Sequence, residues 1–440
     1  MLGTMLGVAV VACLPPACAA GVLVEAESFE DHGGWMLDAQ FLDVMGSSYL
    51  IAHGLGRSVA NARTAVSIPR SGAHRVWVRT KDWVPSHHPG VFRLAVSGDE
   101  LAVTFGNQGT GWLWQEGGTV VLPRGRVEVE LRDLTGFDGR CDALYFAPEG
   151  TAAPPDDPAA LASWRRGVLG LPDRPPSAGR FDAVVVGGGI PGCAAALTAA
   201  RLGLRVALIQ NRPVLGGNAS AEIGITPRGA ESALVREVAG PNREAVLRAE
   251  RSLELYLGWH VFAARKRGDR IAAVVARSTA TSRELSFAAP VFIDCTGTGA
   301  VGALAGADFR MGREGRAEFA ESLAPEAADA MHHGSTVIFA TRMAALPTSF
   351  PDVPWAEAVS RGYSDLGGQV VDQHDNVGGL THFWEYGQYL DPLREAEAIR
   401  DHLLCAVYGA FATAKRLHPE RNANLELARV GIVPAGGESR

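Results

Sequence analysis

Three glycines carry the first chemical signal. Gly187, Gly189 and Gly192 are spaced G-x-G-x-x-G directly after the apolar, β-rich run Ala183 to Val186. In such a run the first glycine allows a tight turn. The second lets a pyrophosphate approach the main chain, and the third lets the next helix pack closely on the strand. Ile190 and Pro191 open that helix, an alanine-rich body follows, and Gly203 caps its end. Its first-turn N–H groups and dipole suit an anion. Arg205 to Ile209 reads as a second strand, after which dinucleotide folds place an acid on the ribose. Gln210 and Asn211 stand there instead, so a hydrogen bond to a ribose hydroxyl lacks charge assistance.

Two further segments narrow the cofactor. Arg212-Pro213-Val214-Leu215-Gly216-Gly217-Asn218 resembles the segment after the second strand in FAD-dependent oxidoreductases of the glutathione-reductase-like superfamily, where it lies along the FAD. Phe292-Ile293-Asp294-Cys295-Thr296-Gly297-Thr298-Gly299 is similar to that superfamily's strand ending in a T-G-x-G turn. The resemblance places Thr296, Gly297 and Gly299 against the FAD. The next stretch, GADFRMGREGRAEFAESLAPE, resembles one family: secreted FAD-dependent oxidoreductases often joined to a xanthan-lyase-type binding domain. The resemblance covers residues 181–440 and implies non-covalently bound FAD, with the substrate open. An NAD-linked dehydrogenase leaves Arg212 to Asn218 unexplained, and no second NAD fingerprint follows.

These residues need a scaffold. The expected fold class is multidomain: an N-terminal all-β sandwich of jelly-roll type, then an α/β Rossmann-like FAD-binding domain with an α+β substrate or cap region. The segments are a signal peptide at 1–20, a sandwich at 22–148, a linker at 149–180, an FAD-binding domain at 181–308 and a cap at 309–440. Thr64 to Ile68, His74 to Arg79, Val91 to Val96, Thr119 to Leu122, Val127 to Leu131 and Ala143 to Phe146 read as short strands separated by turns. The prolines of the linker predict an extended spacer, with a short helix over Ala159 to Arg166. Beyond Asn218 come a helical stretch over Glu231 to Leu257, a β segment over His260 to Ala264, and a hairpin of Arg270 to Ser278 with Glu284 to Phe287. Val291 to Asp294 then returns as a strand, and Glu395 to Leu417 is helical.

Composition sets the class of partner. In 440 residues, 47% hydrophobic and 20% charged content describe a globular chain of two or three domains. A formal charge of −7 with no basic block argues against nucleic acid. Residues 1–24 carry no charged side chain, Leu2 to Leu14 forms a signal-like apolar run, and Ala17 to Ala20 offers a cleavage site. The alternatives are a buried N-terminal helix, a misplaced start, or a lipoprotein signal acylated at Cys13. Pro15 and Pro16 break the run, which argues against a membrane span. The expected location is therefore secreted or periplasmic, with lipid anchoring as the alternative. The six cysteines include no C-x-x-C, so neither a metal site nor a disulfide framework is expected.

The sandwich brings its own ligand candidates. Glu25-Ala26-Glu27 opens it as carbohydrate-binding jelly rolls open. GGWMLDAQFLDVMGSSYLIAHG, VWVRTKDWVPSHHPG and DLTGFDGRCDALYF resemble the binding domain of xanthan lyase and golvesin-type proteins, which implies a glycan stacked on aromatic side chains. Trp83, His87 and His88, in a Pro- and Gly-containing loop, and Trp112 with Trp114, on one strand face, are the candidates; Trp77 belongs to the core. Near the expected flavin turn, Arg310, Arg313 and Arg316 are candidates to hold an anionic substrate or to stabilise reduced flavin, with a solvated surface role as the alternative. His332, His333, His382, Trp384 and Glu385 are titratable or aromatic candidates, and no residue receives a catalytic assignment.

The function expected is an FAD-dependent oxidoreductase acting on an unidentified, carbohydrate-related substrate. The alternative is a carbohydrate-binding protein with an inactive or incomplete flavin domain. In the resembled family a P-G-x-x-E-S-R segment lies well before the C-terminus, whereas here Pro434-Ala435-Gly436-Gly437-Glu438-Ser439-Arg440 ends the sequence, with Ala435 in place of a glycine. The expectation is a fragment that needs further residues to close the flavin site.

Overall fold

The alternation of buried and exposed side chains along residues 22–148 builds two β-sheets. In the computed structural model, residues 21–229, 232–361, 380–381 and 385–436 are described. The strands here are β1 (Val22–Glu25), β2 (Met36–Asp38), β3 (Tyr49–His53), β4 (Ala62–Ile68), β5 (Gly72–Lys81), β6 (Phe92–Val96), β7 (Asp99–Glu100), β8 (Trp112–Leu122), β9 (Gly125–Asp133) and β10 (Phe137–Pro148). A short helix, α1 (Leu42–Met45), lies between β2 and β3. One sheet runs β2-β3-β10-β5-β8, with β1 beside β10, and the other runs β4-β9-β6-β7. Along β4 every second residue is buried, as a strand with one wet face requires. Val66, Val76, Val78, Phe92, Leu94, Val129 and Phe146 fill the space between the sheets. The region is thus the β-sandwich expected.

β10 breaks the alternation, because all but the last of its residues are buried. Its sheet is a middle layer with both faces covered. Part of the cover is α2 (Pro158–Val168), capped by the Asp157 side chain accepting from Ala160 N–H at 2.9 Å. Leu161 and Trp164 of α2 pack on Trp114 and Tyr145. Arg165 reaches Asp142 at 2.6 Å and Glu25 at 3.2 Å. So the expected extended spacer holds a docked helix: an apolar stripe plus one buried arginine gave it a surface to bind.

The next region holds β11 (Ser177–Arg180), β12 (Ala183–Val186), α3 (Ile190–Arg201), β13 (Val206–Gln210), α4 (Ala233–Ala239), α5 (Arg243–Arg248), β14 (Leu253–Leu257), β15 (Trp259–Arg267), β16 (Arg270–Ser278), β17 (Glu284–Ala288), β18 (Val291–Asp294) and α6 (Ala300–Leu304). A parallel sheet of order β14-β13-β12-β18 is flanked on one side by α3, and β11-β17-β16-β15 forms a second sheet. The long helix expected over 231–257 is two short helices and then β14, which pairs in parallel with β13. Gly240 and Pro241 stop the helix, and Leu253, Leu255 and Leu257 alternate as strand residues do.

The last region comprises α7 (Arg316–Phe319), β19 (Phe339–Met343), α8 (Pro354–Arg361), β20 (Leu380–Thr381), α9 (Ala396–Leu417) and β21 (Leu425–Val430). α9 is buried over most of its length between α8 and the sandwich. Its contact with the sandwich is ionic at the centre. Arg400 reaches Asp38 at 2.8 Å and the Tyr49 hydroxyl at 3.0 Å, and Arg140 grips both oxygens of Asp401 at 2.6 and 2.9 Å. Lys81 reaches Glu397 at 2.9 Å, and Trp112 Nε1 donates to the same carboxylate at 3.0 Å. Three carboxylates (Asp38, Glu397, Asp401) thus face three cations (Lys81, Arg140, Arg400). The charges balance, which makes burial tolerable. Burial opposes ionisation of Asp38, yet Arg400 and then Arg212 hold its carboxyl below the usual range.

Candidate functional site

The three glycine-bearing segments meet at the carboxyl ends of β12, β13 and β18. Gly187 sits at φ +99°, and a Cβ there would strike the Cys295 main chain. A Cβ at Gly192 would run into the Gly187 carbonyl oxygen. Both glycines are therefore required by the protein's own packing. Gly189 is different: its φ is −65°, which any residue adopts, and a Cβ there would have only Pro191 Cδ at 3.8 Å and Gly217 Cα at 4.0 Å. Among the described residues no atom explains the missing side chain. The room in front of Gly189 lies at the first turn of α3, where free N–H groups and the helix dipole favour an anion. Ile190 is half-buried and Pro191 exposed beside it.

The 212–218 segment folds over this turn. Gly216 N–H donates to the Gly188 carbonyl at 2.8 Å and Gly217 stands over Gly189. Arg243, at the start of α5, holds the segment from behind through the carbonyls of Leu215 at 2.8 Å and Ala219 at 3.2 Å. Asn218 is exposed and donates to the Gly436 carbonyl at 3.2 Å, so residues 432–436 return to the same place. Ala435 is buried there against Ile223 and Ile338. Residues 437–440 lie outside the described residues.

Asp294 builds the third segment. Its Oδ1 accepts from Thr296 N–H at 3.0 Å and the Thr296 hydroxyl at 2.7 Å, while Oδ2 accepts from Val301 and Gly302 N–H at 2.9 and 3.1 Å. One carboxylate therefore shapes the turn and caps α6 together. Gly297 and Gly299 take φ values of +79° and +67°, which the turn demands and glycine supplies. Sequence reasoning missed both Asp294 and Arg243 as site builders. An acid immediately before Thr-Gly-Thr-Gly is a readable signal for the first; nothing near Arg243 in sequence marks the second.

Gln210 does not stand free for a ribose. Its Oε1 accepts from Gly188 N–H at 2.7 Å and its Nε2 donates to the Val214 carbonyl at 3.2 Å. The amide ties the glycine turn to the next segment, a role that needs one donor and one acceptor on one side chain. Asn211 is half-buried. Arg212 pairs with Glu222 at 2.6 and 3.0 Å. Burial pushes the Cys193 thiol up to about 11, and burial also raises that of Cys295, so both are protonated at neutral pH.

Other candidates fall elsewhere. Trp83 is buried rather than a loop ligand: its Nε1 donates to the Phe137 carbonyl at 2.9 Å and its ring packs edge-on against Trp355. Trp114 is buried under α2, and Trp112 is half-buried at the α9 contact. His87 and His88 are exposed, and His88 lies 2.5 Å from Asp82. Arg310 pairs with Glu318 and Arg313 with Asp329, while Arg316 donates to the Ala324 carbonyl at 3.2 Å. His332 has both ring nitrogens on main-chain carbonyls, those of His333 and Leu390, at 2.6 and 2.7 Å. Glu385 is half-buried; His382 and Trp384 lie outside the described residues.

Residues 182–248 and 242–377 match the family model described as FAD dependent oxidoreductase. Residues 182–377 of the chain are thus similar to FAD-dependent oxidoreductases. No curated protein matches the chain. Among solved structures, a family 35 carbohydrate binding module from Clostridium thermocellum is similar at 20% identity over 29% of this chain and 98% of the module, with a TM-score of 0.24. L-proline dehydrogenase from P. horikoshii is similar at 23% identity over 33% of this chain and 26% of its own, with a TM-score of 0.22. The GH26-CBM35 β-(1,4)-mannanase of Podospora anserina is similar at 14% identity over 53% and 61%, with a TM-score of 0.25. The chain spans less than two thirds of the mannanase and of the dehydrogenase. Among the described residues no helix is long and apolar enough to cross a membrane, and no His, Cys, Asp or Glu cluster could hold a metal ion.

Proposed function

We propose that the oxidoreductase region binds FAD non-covalently across the carboxyl ends of β12, β13 and β18, and oxidises or reduces a small substrate. The observation that carries this reading is the unfilled space at Gly189, beside two glycines whose absence of side chain the chain itself explains. When bound, FAD supplies two-electron redox chemistry. The chain's residues supply the rest. Gly189, Ile190 and Gly192 offer main-chain approach and an N-terminal helix dipole to the pyrophosphate. Gly216, Gly217 and Asn218 line the opposite wall, and Thr296, Gly297 and Gly299 close the third side. Gln210 acts one step back, by fixing the glycine turn.

The test is the absorption spectrum of purified protein beside that of Gly189→Val. The branched side chain fills the proposed pyrophosphate space, so flavin content should fall about tenfold or more while the far-ultraviolet circular dichroism stays unchanged. Full flavin content in the variant would move the cofactor elsewhere.

The carbohydrate-related substrate and the secreted or periplasmic location are part of the same proposal. They rest on the resemblance of residues 33–54, 76–90 and 133–146 to polysaccharide-binding sandwiches and on the signal-like run at 2–14. With Trp83 and Trp114 buried, a glycan has the exposed edge around His87 and His88 to meet, so a glycan array should respond to changes there. Export with cleavage after Ala20 would leave a mature N-terminus at Gly21, which N-terminal sequencing reads directly.

A further inference from the structure

We propose that Arg243 is the fixed cation of the cofactor cradle, positioning the Leu215–Ala219 segment and lending an unneutralised positive charge to the pyrophosphate of the dinucleotide. The inference rests on the reading of Gly187–Gly192 as the cofactor site. Arg243 stands at the first position of α5, and its guanidinium turns back under the segment that covers the glycine turn. All five of its N–H donors are taken by main-chain carbonyls. Nε donates to Gly240 at 3.2 Å, Nη1 to Leu215 and Ala219 at 2.8 and 3.2 Å, and Nη2 to Ala219 and Ala239 at 3.3 and 2.9 Å.

That arrangement leaves the charge without a counter-ion. No ion pair of Arg243 exists among the described residues. The acids on the neighbouring elements are engaged elsewhere: Glu237 and Glu250 with Arg201, Glu244 with Arg248, and Glu222 with Arg212. The carbonyl dipoles solvate the half-buried guanidinium but carry no net charge, so its formal positive charge is not cancelled.

The field points at the right place. A Cβ on Gly216 would collide with Nη1, so the guanidinium lies directly against that glycine. Gly216 and Gly217 in turn contact Gly189, across which the open space lies. Arg243 also lies near Cys193: burial raises that thiol to about 11, and the arginine's charge acts in part against the rise. Cys193 lies in the first turn of α3, so the arginine's field reaches the helix end where the anion is expected. Arg243 also takes up the carbonyls of Leu215 and Ala219, whose lone pairs would otherwise oppose an anion. Its donors are all used, so it acts by charge and by position, without touching the ligand. It is a positioning residue.

The experiment is calorimetric titration of the whole chain with ADP, which carries the diphosphate and no flavin, at low and high salt. Arg243→Lys keeps the charge but cannot make five bonds; Arg243→Gln keeps a donor but removes the charge. The expected result is that Arg243→Lys stays within about threefold of the parent, whereas Arg243→Gln weakens ADP about tenfold and flattens the salt dependence. Equal loss in both variants with an unchanged salt dependence would make the arginine a purely structural clamp and overturn the proposal. Unchanged affinity in Arg243→Gln would overturn it too. Failure of the unmodified chain to bind either ADP or FAD is a separate outcome: it sinks the cofactor-site reading itself, and this inference with it.

Discussion

Gly189 and Gly192 look alike in sequence and differ in reason. Gly192 has no room for a methyl group, because the Gly187 carbonyl stands where a Cβ would go. Gly192→Ala should force α3 off β12 and cost about 1–3 kcal/mol, read as a lowered midpoint in urea unfolding. Gly189→Ala should leave that midpoint within about 0.5 kcal/mol, since its nearest neighbour would be 3.8 Å away. Equal destabilisation by the two would erase the distinction on which the cofactor placement depends. The spacing of these glycines was legible because each belongs to one short strand-turn-helix unit. The partners of Gln210 were not, since they exist only once the glycine turn has closed on Val214. Trp83 misled for a related reason: the Pro and Gly residues around it signal a loop, and Trp355, far along the chain, is what buries the ring.

At the level of elements, α2 shows what a short helix can carry. A short helix over Ala159 to Arg166 was legible in the sequence; its landing place was not. It delivers Arg165 into a pocket with Glu25, Asp142 and Arg79, near Glu27. Burial pushes the Glu25 carboxyl up to about 7, with Arg165 pulling the other way. Burial, with Glu25 beside it, also raises Glu27. An acid whose folded value lies above its unfolded one near 4.5 favours the fold while protonated. That contribution is whole below about pH 4.5 and fades as pH climbs through 7. The melting temperature should therefore drop between pH 5 and pH 8, and Glu25→Gln, uncharged throughout, should shrink the drop by a few degrees in melts across that range. A wild-type curve that rises over the same interval would contradict the burial argument. Asp38 works in the opposite sense: held low by Arg400 despite burial, it stabilises above its ordinary value of 3.8 and is lost as the solution becomes more acid. The helical reading of 231–257 ran through two signals in the sequence, the Gly240-Pro241 break and the alternation of Leu253, Leu255 and Leu257, and that last segment pairs with β13 as a strand.

Across the whole molecule, the sandwich and the last long helix form one body. Arg400 is fully buried between Asp38, Tyr49 and Asp401. Arg400→Met leaves Asp38 without its closest cation in a buried site and should cost about 3–5 kcal/mol. Calorimetry should show the sandwich and α9 melting in a single transition for the parent chain. Two separated transitions would mean that the ionic seam contributes little. The sequence made the two regions look modular because their hydrophobic patterns are each self-consistent. Charges such as Arg140 and Arg400 read as surface residues until they are seen facing one another. The seam also sets a timetable for biosynthesis. Arg140 leaves the ribosome 261 residues before Asp401, its carboxylate partner. At translation rates of about 5–20 residues per second, that gap lasts roughly 13–50 s. For that interval Lys81, Arg140 and Trp112 stand on the nascent sandwich without their α9 carboxylates, so the sandwich is finished only after a helix made much later has docked.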